Sequence, residues 1–448
     1  MGTNRDAFLP DLARALNNVS GDLSNLGRRE EALAASEEAV RHYRDLVGKN
    51  RDAFLPDLAG ALNNVSRDLS NLGRREEALA ASEEAVRLRR ELVGKNRDAF
   101  LPDLAGALNN VSGDLSNLGR REEALAASEE AVRHYRELVG KNRDAFLPVL
   151  ASALNNVSGD LSNLGRREEA LAASEEAVRH YRDLVGKNRD AFLPDLASAL
   201  NNLGIRLSNL GRREEALAAS EEAVRHYRDL VGKNRDAFLP DLAGALNNVS
   251  RDLSNLGRRE EALAASEEAV RLRRDLVGKN RDAFLPDLVL ALGGYGSALL
   301  AAEQADRASE AFAEAIEAVR PLAGVHPAAF GDLLGNLVRD LARSLRAAGR
   351  EADIPSVLGG LGVRVANDDD RESPALAEAE RLLKAWIEAL QAWVGSKSEV
   401  TETEAVQRLA ALQTHLDTHT DDAALLPIRE AVADVLRQVD RSDEGRPG

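Results

Sequence analysis

The stretch Leu12 to Val47, LARALNNVSGDLSNLGRREEALAASEEAVRHYRDLV, decides the fold, because nearly the same letters return five more times. The copies open at Asn4, Asn50, Asn96, Asn142, Asn188 and Asn234, a period of 46 residues. A fixed period of this length marks a solenoid, in which each unit covers its apolar face with its neighbours. The 448 residues therefore count repeats rather than separate globular domains.

Within a unit, Leu12, Leu16, Val19, Leu23 and Leu26 recur at alternating steps of four and three, the stripe of an amphipathic helix. This is helix A, with Asp6 expected to cap its start and Pro10 falling in or just before its first turn. Gly27 is expected to end it in a left-handed conformation. Helix B follows over Arg29 to Val47, where Ala32, Ala35, Ser36 and Ala39 allow close backbone approach and Leu33, Val40 and Val47 supply larger contacts. Gly48 is expected to stop it. Aromatics make up only 4% of the chain, so aliphatic and small side chains must do the packing in an all-α fold.

The run LNNVSGDLSNLGRREEALAASEEAV resembles a tetratricopeptide repeat (TPR), of the longer kinesin-light-chain-like kind found in actinobacterial proteins. Gly27, Ala32 and Ala39 fall at the family's Gly/Ala/Ala positions, and Leu16, Val19 and Leu23 at its helix A core positions. Leu16 and Ser36 stand where the family usually has large side chains. The resemblance implies a right-handed superhelical solenoid of 46-residue hairpins, and the helical segments near 375–394, 402–417 and 421–439 read as a small C-terminal helical domain after it. Six near-identical repeats span 4–279, a degenerate seventh 280–326 and a partial eighth 327–365. Residues 366–441 form the C-terminal helical domain, with Asn367 to Pro374 as its linker, and 442–448 are expected to be disordered.

The resemblance also implies a function. Helix A of a TPR lines a concave groove, and Asn18 matches the position at which peptide-binding members place an asparagine that bonds a ligand's backbone or terminal carboxylate. Asn64, Asn110, Asn156, Asn202 and Asn248 extend that ladder, and an amide both donates and accepts. The copies differ mainly at the position of Arg14 (Gly60, Gly106, Ser152, Ser198, Gly244) and of Gly21 (Arg67, Gly113, Gly159, Ile205, Arg251). Arg14, Arg67, Arg206 and Arg251 are accordingly groove residues able to pair with acidic side chains. The alternative is that the asparagines bond neighbouring helices. A second variable patch, His42-Tyr43 against Leu88-Arg89 and Leu272-Arg273, reads as inter-repeat packing or surface.

The net charge is −16. Asn4 to Lys49 is nearly balanced and the excess acid gathers after Ala366, which disfavours nucleic acid and anionic membrane as partners. The chain has no cysteine, so disulfides, thiolate metal sites and cysteine nucleophiles are excluded. His415 and His419 stand four apart in HLDTH without a clear third ligand, so neither a metal site nor a cofactor is expected. No phosphate loop or nucleophile elbow is present. Trp386 and Trp393 share a broad apolar face and are the candidate C-terminal interface. Val289 to Ala302 is too short and too glycine-rich to span a bilayer, and no signal segment precedes the first repeat, which points to the cytoplasm.

The reading is a non-enzymatic scaffold for a protein or peptide partner, with self-association through the uncapped first repeat or the C-terminal helices as a further expectation. The alternatives are a self-assembling structural array and the sensor half of a signalling effector acting through the C-terminal helices.

Overall fold

The computed structural model describes residues 3–363, 378–379, 381–389, 399–419, 428–429 and 432. The chain divides into two compact units, Met1–Ala348 and Gly349–Gly448. The first holds α1 (Thr3–Asn25), α2 (Arg29–Lys49), α3 (Arg51–Asn71), α4 (Arg75–Lys95), α5 (Arg97–Asn117), α6 (Arg121–Lys141), α7 (Arg143–Asn163) and α8 (Arg167–Lys187). It continues with α9 (Arg189–Asn209), α10 (Arg213–Lys233), α11 (Arg235–Asn255), α12 (Arg259–Lys279), α13 (Arg281–Ala301), α14 (Ala305–Val325) and α15 (Pro327–Ala347). Odd helices are helices A and even ones helices B, and each helix packs on the next in an unbroken series of antiparallel hairpins.

The helix ends follow local chemistry, with two differences from expectation. Asn50, not the aspartate two residues later, caps α3: its side-chain oxygen accepts from the Ala53 N–H at 3.3 Å. The same asparagine recurs as the cap of α5, α7, α9, α11 and α13. Asp52 instead lies in the first turn, where a negative charge meets the helix dipole. Pro56 is inside α3, past the first turn, so the helix gives up one backbone bond there. Helix B likewise runs through its glycine to Lys49 and ends at the extended Asn50 (φ −147°), so one residue closes helix B and caps the next helix A. Gly73 ends α3 as expected, at φ +76°, while Arg74 N–H returns to the Leu69 carbonyl.

The apolar stripe is the inter-repeat contact. Leu58 in the second unit is 4% exposed, whereas Leu12 at the same place in the first is 47% exposed, because no preceding hairpin covers it. The buried helix B positions are Leu33, Val40, Tyr43 and Leu46, while Val47 is only half-buried. The inward face of helix B is therefore rotated towards Tyr43 and Leu46.

The seventh unit changes its packing in a matched way. Phe312 occupies the Ser36 position and is fully buried, and Gly296 occupies the Ser20 position opposite it. A Cβ at Gly296 would sit 2.7 Å from the Phe312 ring, so the glycine makes the space the aromatic fills. Its helix α13 has the length and apolar composition of a membrane span. It packs between α12 and α14, with Leu288, Val289, Leu292 and Leu299 buried, as a core helix of the array.

In the second unit, a short 3-10 turn (Glu351–Asp353) and α16 (Ile354–Gly360) replace a full helix B after α15. Further on, a helical segment over 381–389 and α17 (Glu399–Thr418) contribute to a small core of Ala379, Trp386, Leu412, Leu416, Ile428 and Val432. The linker from Asn367 to Pro374 and the segment 442–448 lie outside the described residues, as do parts of the expected helices between 375 and 439.

Candidate partner-binding face

Helices A of successive repeats touch directly, from α1 on α3 through α11 on α13. Successive helices B stand apart over clefts such as the one floored by Val40, Leu62 and Val65. Across these clefts run exposed ion pairs at one-repeat spacing, Arg44–Glu84, Arg90–Glu130, Arg136–Glu176, Arg182–Glu222 and Arg228–Glu268, each at 2.8 Å. The helix A row is therefore the more closely packed side of this unit. Exposed pairs of this kind contribute only about 0–1 kcal/mol each.

On the helix A row the predicted asparagines form a ladder with gaps. Asn64 donates to Asn17 at 2.8 Å, Asn156 to Asn109 at 2.9 Å and Asn248 to Asn201 at 2.8 Å. Those bonds close the first, third and fifth seams. At the second and fourth seams the equivalent donors, Asn110 and Asn202, make no such bond. The acceptors they would serve, the Asn63 and Asn155 carbonyl oxygens, are buried without a hydrogen-bond partner. Asn18 is exposed on the first repeat. The sequence placed all six in one role; the structure gives three of them a neighbour.

One position of the first variable patch meets the second. Position 14 of each repeat faces position 43 of the same repeat: a Cβ at Gly60 would meet the Arg89 guanidinium at 3.8 Å, one at Gly106 the Tyr135 hydroxyl at 3.6 Å and one at Gly244 the Arg273 guanidinium at 3.6 Å. At Ser152 and Ser198 the same position stands beside Tyr181 and Tyr227, and each serine draws its phenol's pKa down slightly against burial. Small residues thus accommodate a large side chain arriving from helix B. Burial raises the Tyr135 phenol to about 12, and it also raises those of Tyr181 and Tyr227. Where arginine replaces tyrosine, an aspartate of the next helix A receives it: Arg89 pairs with Asp103, and Arg273 with Asp287 at 2.9 Å. Burial lowers the pKa of Arg273, and Asp287 opposes that shift.

Of the remaining predicted arginines, Arg14 is exposed beside Asp11 at 3.5 Å, and Arg67 is exposed beside Asp68 at 3.7 Å. Arg251 is exposed. Arg206 differs from all three, because it stands in the register of Asp22, Asp68, Asp114, Asp160 and Asp252. Those aspartates tie helices A together from within the seams. Asp68 accepts from Ser20 at 2.7 Å, Asp114 from Ser66 and Ser70 at 2.7 and 2.9 Å, and Asp160 from Ser112, Ser116 and Ser128 at 2.9, 2.6 and 2.7 Å. Burial holds the Asp252 carboxyl above its ordinary range, partly offset by the Ser220 hydroxyl that donates to it at 2.8 Å. Sequence reasoning passed over this serine–aspartate ladder, although its Ser-x-Asp signal returns in every unit but the fifth, the seventh and the partial eighth.

At the fourth seam the polarity is reversed. Arg206 donates to Ser158 at 3.1 Å and to Ser162 at 2.9 Å. The buried Ser174 hydroxyl, whose counterparts Ser128 and Ser220 donate to aspartates 32 residues on, has no partner. Burial lowers the pKa of Arg206, and among the described residues no carboxylate lies within ion-pairing distance of it.

Six copies of one family model, the tetratricopeptide repeat, match residues 12–52, 58–98, 104–144, 150–190, 196–236 and 242–282. The chain belongs to the tetratricopeptide repeat family. This TPR array is similar to the crystal structure of BtubC (BKLC) from P. vanneervenii, at 21% identity and a TM-score of 0.46, covering 56% of this chain and 92% of that one. It is also similar to the nearly identical TPR-like repeats of a putative kinesin light chain from Podosopora anserina, at 16% identity and a TM-score of 0.40, covering 51% and 98%. A third similar structure is the signal transduction ATPase PH0952 from Pyrococcus horikoshii, which has a TPR sensor, at 16% identity and a TM-score of 0.49, covering 79% and 49%. No curated protein sequence matches the TPR chain.

In the C-terminal unit, Trp386 is 4% exposed within the local core, so its ring is internal packing. Trp393 lies outside the described residues. The His415 and His419 rings meet tilted at 41° with centroids 4.5 Å apart, and among the described residues no cluster of metal-ligating side chains is present.

Proposed function

TPR arrays are protein-interaction modules, and we propose that this one is a non-enzymatic scaffold that binds an extended or helical segment of a partner protein along its helix A row. The observation that carries the reading is the gapped asparagine ladder. Asn63 and Asn155 present buried carbonyl oxygens without donors, beside the unbonded amides of Asn110 and Asn202. A peptide bond supplies both the missing donor and the missing acceptor, so a partner's main chain completes these seams without demanding a particular side chain.

The test is affinity for peptides selected by display on the full chain. Asn110→Ala with Asn202→Ala should weaken binding about ten-fold or more, the loss of one or two hydrogen bonds. Asn156→Ala, whose native amide is already bonded to Asn109, should weaken it less. Unchanged affinity in the double variant would overturn the reading.

A further inference from the structure

We infer that the seam between α7 and α9 is a recognition point for the carboxylate of an acidic side chain in the bound segment. This rests on the helix A row being the binding face and adds what that face selects.

At the seams of Asp68, Asp114 and Asp160 a buried anion accepts bonds from serine hydroxyls of the preceding helix A. At this seam a cation occupies the same register and the same class of serine, Ser158 and Ser162, accepts instead. A hydroxyl both donates and accepts, so the lattice of the array tolerates the reversal. It does not neutralise the charge. Two hydroxyls use the Arg206 Nε and Nη1, while Nη2 has no bond among the described residues, and a half-buried guanidinium without an anion is an unfinished electrostatic arrangement.

Independent features converge on the same seam. The Asn155 side-chain oxygen and the Ser174 hydroxyl are buried without partners, and one turn before Arg206 the Asn202 amide makes no hydrogen bond among the described residues. Donors on Arg206 and Asn202 match the two oxygens of a carboxylate, and the Asn155 oxygen matches the N–H of the residue that carries it. The neighbouring Ile205 is half-buried where other repeats have glycine or arginine, which adds an apolar contact beside the charge.

The seam lies inside the array, with helices A continuing in both directions, so the bound chain passes through rather than ending there. The ligand chemistry is therefore an internal aspartate or glutamate side chain, not a terminal carboxylate. The exposed Asp195 on α9, with Asp57 and Asp241 further along the helix A row, repels further acids. A single acid next to an apolar residue is the pattern expected.

Random peptides displayed against the full chain, in parallel with the Gly204→Ser/Arg206→Asp variant, test the assignment. That variant restores the Ser-x-Asp pattern of the sister repeats; a Cβ at position 204 would stand 2.4 Å from the Ser220 hydroxyl, which must turn aside as its counterpart Ser128 does beside Ser112, and thermal denaturation checks that the variant folds. The expected result is wild-type enrichment of peptides with one acid at a fixed place. Affinity should fall about ten-fold or more in the variant, as it should when the peptide acid becomes its amide, and a peptide lysine at that place should recover binding to the variant. Peptides that bind with no preference for an acid and are indifferent to the variant, yet lose affinity with Asn110→Ala/Asn202→Ala, overturn this inference and leave the helix A face as the binding surface. Dependence on a free peptide C-terminus, abolished by amidation, would also overturn it. Enriched peptides indifferent to both sets of substitutions, or no enrichment at all, overturn both readings.

Discussion

Replacing Asp160 by alanine should loosen the array at one seam. Its carboxylate accepts three hydroxyl bonds, from Ser112 and Ser116 on α5 and from Ser128 on α6, and it is 5% exposed. A hydrogen bond to a charged group contributes about 1.5–3 kcal/mol. Ser128 retains a second acceptor in the Leu125 carbonyl at 3.1 Å, so its loss is partial, whereas the equally buried Ser112 has no other acceptor among the described residues. Removing the carboxylate also removes its own desolvation penalty, which offsets part of the loss. The net should be about 2–3 kcal/mol for Asp160→Ala and about 1 kcal/mol for Asp160→Asn, which keeps one acceptor oxygen. In a quasi-one-dimensional array this weakness concentrates at the junction of α5 and α6 with α7, so urea denaturation should broaden or split. Hydrogen exchange should accelerate in those helices first. If both variants stay within about 0.5 kcal/mol of the parent, the ladder is incidental.

Gly296→Ala should destabilise the seventh unit by about 1–3 kcal/mol, since its methyl would stand 2.7 Å from the fully buried Phe312 ring; thermal denaturation of Gly296→Ala beside Gly296→Ala/Phe312→Leu checks whether relieving the ring restores stability. Acid should weaken the tie between the start of α3 and the end of α4. Arg51 and Lys95 hold Glu91 down to about 2 from an ordinary 4.5, so the stabilisation is present above about pH 4.5 and is lost as pH falls towards 2. Glu91→Gln should flatten that part of a stability–pH curve, an effect that high salt reduces in the parent; an unchanged curve would refute the assignment.

Much of the fold was legible because a stripe such as Leu58, Leu62, Val65 and Leu69 can be buried only as a helix, and because six copies made the period unmistakable. The helix starts were less legible: Asn50 and Asp52 are both good caps two residues apart, and only the backbone direction decides between them. The inward rotation of helix B toward Tyr43 and Leu46 was hidden because Val47 fits an equally apolar period. At the candidate face, residue type was readable but partnership was not. Asn64 reaches Asn17 across 47 positions of sequence, a relation created by stacking alone. Arg206 was legible as a departure, yet aligning it with Arg67 and Arg251 concealed that it replaces an aspartate one position further along.

The serine–aspartate ladder also constrains how such an array can lengthen. A copy of the second, third or fourth unit inserted behind itself meets the hydroxyls it needs, since each carries both Ser-x-Asp and the following Ser. A tandem copy of the fifth unit would not: its arginine would face Gly204, which has no hydroxyl, in place of Ser158. Growth by duplication can therefore multiply the ordinary units freely while keeping the reversed seam single, so that the array carries one fixed landmark whatever its length.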